Sequence, residues 1–282
     1  MRKIGKTVIF DKPPKIIGHA GVAGKKEGEG PLAKDFDMIF EDTTMGQQSY
    51  VLAESAMLHD AIIRSLSNAG VAPSSVDFVL SGDLLNQCMG SAFALKDLEI
   101  PSIGLFGACS TMALSLSTGA MLVNSGASCV VCATSSHFCS SERQFRFPLE
   151  YGGQRPPTAQ WTVTGAGSSV VSNEGRGTEI KAVQIGTITD LGITDANNMG
   201  AAMAPGAART ISSFLNDTGS SPEDYNLILT GDLGYTGSQL LYELLEKEHN
   251  IKLKGFHKDC GTLIFDLKKQ DVNSGGSGCG WT

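Results

Sequence analysis

Long apolar runs are missing from this sequence. No uninterrupted stretch approaches the roughly 20 residues needed to span a bilayer, so any membrane association is expected to be peripheral. The first ten residues carry basic side chains but no sustained apolar segment, and Asp11, Lys12 and two prolines follow at once; no signal peptide is expected. A basic stripe is also missing: 22 Lys and Arg face 29 Asp and Glu, for a formal charge of -7. That balance argues against a general nucleic-acid surface. The seven cysteines are odd in number and have no framework-like spacing. Cys129 and Cys132 sit inside an apolar strand pattern rather than on a metal knuckle, and a reducing compartment fits best.

What the chain does have is a long small-residue turn, from Ser102 to Val123. A strand-like run reaches Gly107, turns on Gly107-Ala-Cys-Ser, and continues into a run of small and apolar residues suited to a buried helix. Cys109 then falls at a helix N-terminus, where free amides and the helix dipole favour a thiolate. A buried structural cysteine is the plainer reading of the same turn.

Helical periodicity runs from Ser49 to Ala69 and closes on Gly70. Val76 to Leu80 reads as a buried strand leading into Ser81-Gly-Asp-Leu-Leu-Asn-Gln, a polar loop at a strand end, where open α/β folds place their sites. Lys15 to Ala20 reads as an edge strand, with His19 structural or exposed. Ala127 to Thr134 reads as a second buried strand, which puts His137 at its end. An arginine- and aromatic-bearing loop follows, with Arg143, Arg146 and Tyr151. Trp161 to Ser172 and Glu179 to Thr189 read as Gly-bent strands, and a loop leads to Met203-Ala-Pro. A helix is expected from Leu240 to Glu248, then a strand pair around Phe256 and Leu263.

The sequence also repeats itself. Ser65-Leu-Ser-Asn-Ala-Gly onward to Gly82-Asp-Leu has a counterpart in Ser213-Phe-Leu-Asn-Asp-Thr-Gly onward to Gly231-Asp-Leu. The offset is 149 residues, Asp232 against Asp83. Such a duplication predicts two similar halves about a pseudo-twofold axis, divided here as 1–175 and 176–282, with a site between them. The Gly-rich tail, with Cys279, looks like a second elbow. The second copy stops where its buried helix should begin, so a truncated second half is expected.

A Gly-Ala-Cys-Ser elbow within duplicated α/β halves resembles the thiolase superfamily of condensing enzymes. The closer resemblance is to the stage V sporulation protein AD family. It rests on Gly82-Asp-Leu-Leu-Asn-Gln, Leu105-Phe-Gly-Ala-Cys-Ser-Thr, Ala133-Thr-Ser-Ser-His, Ser141-Glu-Arg-Gln-Phe-Arg, Glu150-Tyr-Gly-Gly-Gln, Leu229-Thr-Gly-Asp-Leu and Gly275-Gly-Ser-Gly-Cys-Gly. The resemblance implies a thiolase-like, five-layered αβαβα fold. It also implies a role in loading the spore core with dipicolinic acid, peripheral to the forespore or spore inner membrane, beside other proteins of the same operon.

Condensing enzymes of the ketoacyl synthase III kind need an imidazole after the second-half strand that matches Leu227 to Thr230, and a second imidazole or amide in the second elbow. Here those places hold Gly231 and Asp232, and Ser274, Ser277 and Cys279. The expectation is therefore a non-catalytic protein whose pocket at Cys109 binds dipicolinic acid, free or as its calcium chelate, without a cofactor or resident metal. Elbow amides with Arg143 or Arg146 would receive the carboxylates, and Asp83, His137, Tyr151 and Asp232 would line the pocket. Asp83 and Asp232 read equally as turn or cap residues. Two alternatives stay open: an acyltransferase using Cys109, and an assembly subunit with a vestigial pocket. A homodimer is left open as well.

Overall fold

A computed structural model describes residues 1–145 and 155–278. Its strands are β1 (Arg2–Ile4), β2 (Thr7–Ile9), β3 (Lys15–Gly24), β4 (Met38–Phe40), β5 (Phe78–Gly82), β6 (Ser102–Gly104), β7 (Cys129–Ser136), β8 (Trp161–Thr162), β9 (Gly165–Ser172), β10 (Thr178–Glu179), β11 (Ala182–Gln184), β12 (Ile228–Thr230), β13 (His257–Asp259) and β14 (Gly276–Ser277). The helices are α1 (Lys25–Gly28), α2 (Tyr50–Ala69), α3 (Met89–Leu95), α4 (Thr111–Asn124), α5 (Phe138–Phe145), α6 (Met199–Thr218), α7 (Gly234–His249) and α8 (Cys260–Leu263).

The main sheet runs β10-β3-β9-β7-β5-β6, with β4 added along the far end of β3. β7 is parallel to β5 and antiparallel to β9. Helix α2 covers one face, burying Met57, Leu58, Ile62 and Leu66 against Val79, Val131 and Val170. Each such side chain contributes roughly 1.5–3 kcal/mol on transfer from water. Helix α4 covers the other face through Leu116 and Leu122, packed against Leu80, Val130 and Val171. Its opposite side, at Ala120 and Met121, meets Val8, Phe10 and Val183 of a second sheet, β1-β2-β11. Beyond that sheet, α6 and α7 pack together through Ala204, Ala208, Leu241 and Leu245. Helix, sheet, helix, sheet and helix pair make the expected layers.

The duplication is visible element by element. Helix α6 starts and ends 149 residues after α2, 199 against 50 and 218 against 69. Ser49 caps the first helix by accepting the Leu52 N–H, and Asn198 caps the second by accepting the Ala201 N–H. Both helices end on a left-handed glycine, Gly70 and Gly219, each with φ 66° and ψ 29°. Only glycine adopts that conformation without strain. A proline-led 3-10 turn follows each, Pro73–Ser75 and Pro222–Asp224.

Several local expectations are corrected. β3 is an interior strand, because β9 pairs along one side of it and β10 and β4 pair along the other. Met203-Ala-Pro lies within α6 rather than after a loop. Leu263 ends a short helix rather than a strand, since the Thr262 hydroxyl donates back to the Asp259 carbonyl and turns the chain. Apart from these corrections, β2 of the N-terminal hairpin pairs with β11. Among the described residues no strand lies between β11 and β12. A groove of about 510 Å³ opens there, lined by Leu116, Val183, Phe214, Tyr225 and Leu229 among others.

Candidate functional site

The elbow forms because Gly107, Ala108 and Thr111 tie it internally. β6 ends at Gly104, and the Leu105 N–H still donates to the Ser81 carbonyl at 2.8 Å. The Gly107 carbonyl then accepts the Ser110 amide at 3.0 Å and its hydroxyl at 2.8 Å. Thr111 Oγ1 accepts the Gly107 N–H and donates to the Ala108 carbonyl. Ala108 sits at φ 47°, a left-handed conformation that an alanine adopts only under constraint. Gly82 is required beneath it: a Cβ there would stand 2.0 Å from the Leu105 carbonyl oxygen. Cys109 lies on the 3-10 turn Ala108–Ser110 that feeds α4.

What faces Cys109 is Asp232. The thiol hydrogen-bonds the Asp232 carboxyl, and Asp232 Oδ1 accepts the Gly278 N–H at 2.8 Å. The Asp232 carbonyl accepts from Gln160 Nε2 at 2.6 Å. Asp232 thereby joins the Cys109 elbow, the β12 strand end and the glycine-rich segment around β14. The electrostatics reverse the thiolate expectation. Burial, and then the neighbouring Asp232 carboxylate, push the Cys109 thiol well above its ordinary value, outweighing the dipole of a helix that begins only at Thr111.

Asp232 is in turn raised well above the ordinary carboxylate range, first by burial and then by Asp259. Asp259 ends β13. Its Oδ2 accepts the Thr230 hydroxyl at 2.5 Å and the Leu233 N–H at 3.0 Å, while Oδ1 accepts the Gly234 N–H at 2.8 Å. Behind Thr230 stands His257, with Nε2 at 2.8 Å from the Thr230 hydroxyl. His257 Nδ1 lies 2.9 Å from the Tyr242 hydroxyl. Burial lowers His257 to about 4, so the ring is neutral, accepting from Tyr242 and donating to Thr230.

The first-half counterpart, Asp83, does a different job. It is fully buried; Oδ1 accepts the Leu85 N–H at 2.8 Å, and Oδ2 accepts both the amide and the hydroxyl of Ser91. This is the turn-and-cap geometry, anchoring α3. Beside it Glu54, also fully buried, accepts the Ser135 hydroxyl at 3.1 Å and the Ser140 hydroxyl at 2.7 Å. Burial and then Asp83 push Glu54 to about 8.

His137 is buried, with both ring nitrogens engaged. Nε2–H donates to the Thr43 carbonyl at 2.8 Å, and Nδ1 accepts the Cys139 N–H at 3.2 Å. It ties the loop at Thr43 to the first turn of α5. Arg143 is exposed and lines a cavity of about 770 Å³ with Thr44, Tyr50, Asn86, Cys139 and Gln144. Glu142 is held by Arg155 at 3.2 Å and by the Thr162 hydroxyl at 2.7 Å. Arg146, Tyr151 and Cys279 lie outside the described residues.

The geometry thus brings Cys109 and Asp232 together and assigns Asp83 and His137 to scaffolding. Sequence reasoning missed Asp259, Gln160 and Glu54. Asp259 had a usable signal, a polar residue ending a strand just before Cys260-Gly-Thr. Glu54 had another, an acid on the apolar stripe that continues through Met57, Leu58 and Ala61.

Comparison with known proteins places the chain. The family model described as Stage V sporulation protein AD (SpoVAD) matches residues 5–282. Stage V sporulation protein AD of Bacillus subtilis (strain 168) is 41% identical over 281 residues, which cover 99% of this chain and 82% of that protein. Among solved structures, an OleA variant of Xanthomonas campestris bound with cerulenin aligns over 100% of this chain and 89% of its own, at 11% identity and TM-score 0.63. AbyA1, a tetronic acid condensing enzyme, aligns over 95% and 89% at 15% identity and TM-score 0.58. The 3-oxoacyl-[acyl-carrier-protein] synthase III of Aquifex aeolicus aligns over 93% and 87% at 14% identity and TM-score 0.54. At these identities the structures share the fold.

Proposed function

This chain belongs to the stage V sporulation protein AD family, and from that premise we propose that it is a non-catalytic binding protein for dipicolinic acid. In this reading it takes the ligand, free or as the calcium chelate, at the Cys109 elbow for uptake into the developing spore. The observation that carries the proposal is the Asp232 carboxyl hydrogen-bonded to the Cys109 thiol, where condensing chemistry needs an imidazole.

Two consequences follow from that contact. A thiol held protonated by burial and by its hydrogen bond to the Asp232 carboxyl is a poor acyl acceptor. A carboxyl group beside the sulfur offers no positive charge to a thioester enolate, the anionic intermediate that a condensing enzyme must stabilise. A ligand carboxylate, by contrast, can be received by the Gly278 N–H and the thiol once it displaces the Asp232 oxygens they now bond, and by the proton of a neutral Asp232. The guanidinium that a dianion requires would come from Arg143, which lines the Thr44, Tyr50 and Asn86 cavity rather than the Cys109–Asp232 contact and must swing over to reach the ligand. The chain would act at the forespore inner membrane as a peripheral partner of membrane proteins from its operon; among the described residues no helix is long and apolar enough to cross a bilayer.

Titration calorimetry with dipicolinate tests the reading. Wild type should bind reversibly, and Arg143→Ala should weaken binding about ten- to a hundredfold, the scale of one charge-assisted hydrogen bond. Added salt should weaken the free dianion more than its neutral calcium chelate. Acetyl- and malonyl-coenzyme A should give no condensation or decarboxylation. Turnover that disappears in Cys109→Ala would replace this reading with the acyltransferase, and no dipicolinate binding by the folded wild type would defeat it.

A further inference from the structure

We infer that Asp232 serves the site as a neutral carboxylic acid that donates its proton to a ligand carboxylate, and that Asp259 is the positioning residue that keeps this proton on Asp232. The inference rests on the dipicolinate reading above and deepens it.

Asp259 bonds the amides of the two residues that follow Asp232, so two buried carboxyl groups share one turn. Charge repulsion between them makes a single shared negative charge the stable state. Which of the two carries it follows from their partners. Asp259 accepts three hydrogen bonds in fixed geometry, from the Thr230 hydroxyl and from the Leu233 and Gly234 amides. Those amides belong to the residues that follow Asp232 and open α7, so they cannot turn away. Asp232 accepts one amide, from Gly278, and the Cys109 thiol, a weak donor. The charge therefore settles on Asp259 and the proton on Asp232.

The surroundings support this division. The titratable groups around the pair are Cys109 at the elbow, Cys260 of α8, and His257 with Tyr242 behind Thr230. The two thiols are raised by burial and are neutral. His257 is neutral too, and its Nε2–H fixes the Thr230 hydroxyl so that its proton points at Asp259. The Tyr242–His257–Thr230 row is thus a strut that supplies an oriented donor to Asp259 and no formal charge. Against a dicarboxylate, an ionised Asp232 would repel, whereas a protonated one adds a hydrogen bond to a charged acceptor. The site then prefers ligands that present a carboxylate to Asp232 over isosteres ending in an amide or ester.

Dipicolinate affinity measured by calorimetry from pH 6 to pH 10 tests the inference, with circular dichroism at each pH to confirm folding. Wild type should lose affinity at least tenfold on the alkaline side, as Asp232 ionises. Asp232→Asn should abolish that alkaline loss, because an amide has no proton to lose there. Asp259→Asn removes the neighbouring charge, so the loss should move to lower pH. Thr230→Val, which keeps both carboxyl groups, should let the proton pass to Asp259 and weaken binding at neutral pH by about tenfold. This variant decides the role of Asp259 even if Asp259→Asn does not fold. Wild-type binding that is flat across the range, or Thr230→Val binding like wild type, would overturn the inference while leaving the dipicolinate reading in place. Absence of dipicolinate binding at every pH would instead sink the reading on which it rests.

Discussion

Glu54 makes the stability of this protein depend on pH in a way that a single substitution should remove. The side chain is fully buried on α2, between Ser135 and Ser140 and near Asp83. Burial first, and the Asp83 carboxylate second, raise it from 4.5 to about 8. Between those values the folded state holds a proton that the unfolded chain has released, so stability falls as pH rises through the window and levels off above about 8. At 1.36 kcal/mol per unit, the full span is worth about 5 kcal/mol, a large part of the 5–15 kcal/mol typical of a whole domain. Glu54→Gln is nearly isosteric, its carbonyl can accept from one serine hydroxyl and its amide can donate to the other, and it has no proton to lose. Urea midpoints measured from pH 5 to pH 9 should fall steeply for wild type and much less for the variant, with Glu54→Gln the more stable protein at pH 9. Glu27, raised by burial to about 7, adds a fall of the same sign to both and leaves the variant a residual slope. His257 and His137, lowered by burial, act on the acid side, where stability is lost as pH falls below about 6.5. Parallel midpoint profiles for wild type and Glu54→Gln would refute the assignment of a buried proton to this residue.

Two further outcomes test the elbow and the duplication. Alkylation of Cys109 by iodoacetamide at pH 8 should be slower than that of a free thiol, and Asp232→Asn should speed it by removing the acid that the thiol bonds and whose ionisation would oppose the thiolate; a rate in the variant no faster than wild type would remove Asp232 from the control of the thiol. Gly70→Ala and Gly219→Ala meet open space and the same left-handed backbone, so each should cost about 1 kcal/mol in chemical denaturation, equal within error. Clearly unequal costs would mean that the two caps are not energetically equivalent.

Much of the fold was legible because the duplication is written in turn chemistry. Gly70 and Gly219, with Pro73 and Pro222 three residues beyond each, punctuate the chain at a constant offset, and such residues act through local backbone geometry that needs no knowledge of the rest. The elbow was legible for the same reason, from Gly107, Ala108 and Cys109. What was not legible depends on contacts between segments far apart in sequence. That β3 is interior follows from its pairing with β9 some 150 residues on, as between Ala20 and Ser168. That Asp259 matters follows from its reach to Leu233 and Gly234. A loop was expected to lead to Met203-Ala-Pro, yet α6 runs through Pro205. Packing of Ala204 and Ala208 against Leu241 and Leu245 outweighs the one hydrogen bond the ring removes.

The two Gly-Asp-Leu sites show why an internal repeat locates a site without defining its chemistry. Asp83 and Asp232 occupy equivalent places at the ends of β5 and β12, and local sequence around them is nearly the same. Asp83 is followed closely by Ser91, whose amide and hydroxyl satisfy one of its oxygens while the Leu85 amide satisfies the other. With three good donors it is fully committed to holding α3. At the matching place in the second half, the Gly234 amide, equivalent to that of Leu85, goes to Asp259 instead, because β13 delivers a second carboxylate to the Leu233 and Gly234 amides, and Leu240 stands where Ser91 would be. Asp232 is left with Gly278 and the thiol from the other half. The same residue type on the same scaffold thus caps a helix in one copy and faces Cys109 in the other, and what separates the two roles is how many donors each carboxylate receives.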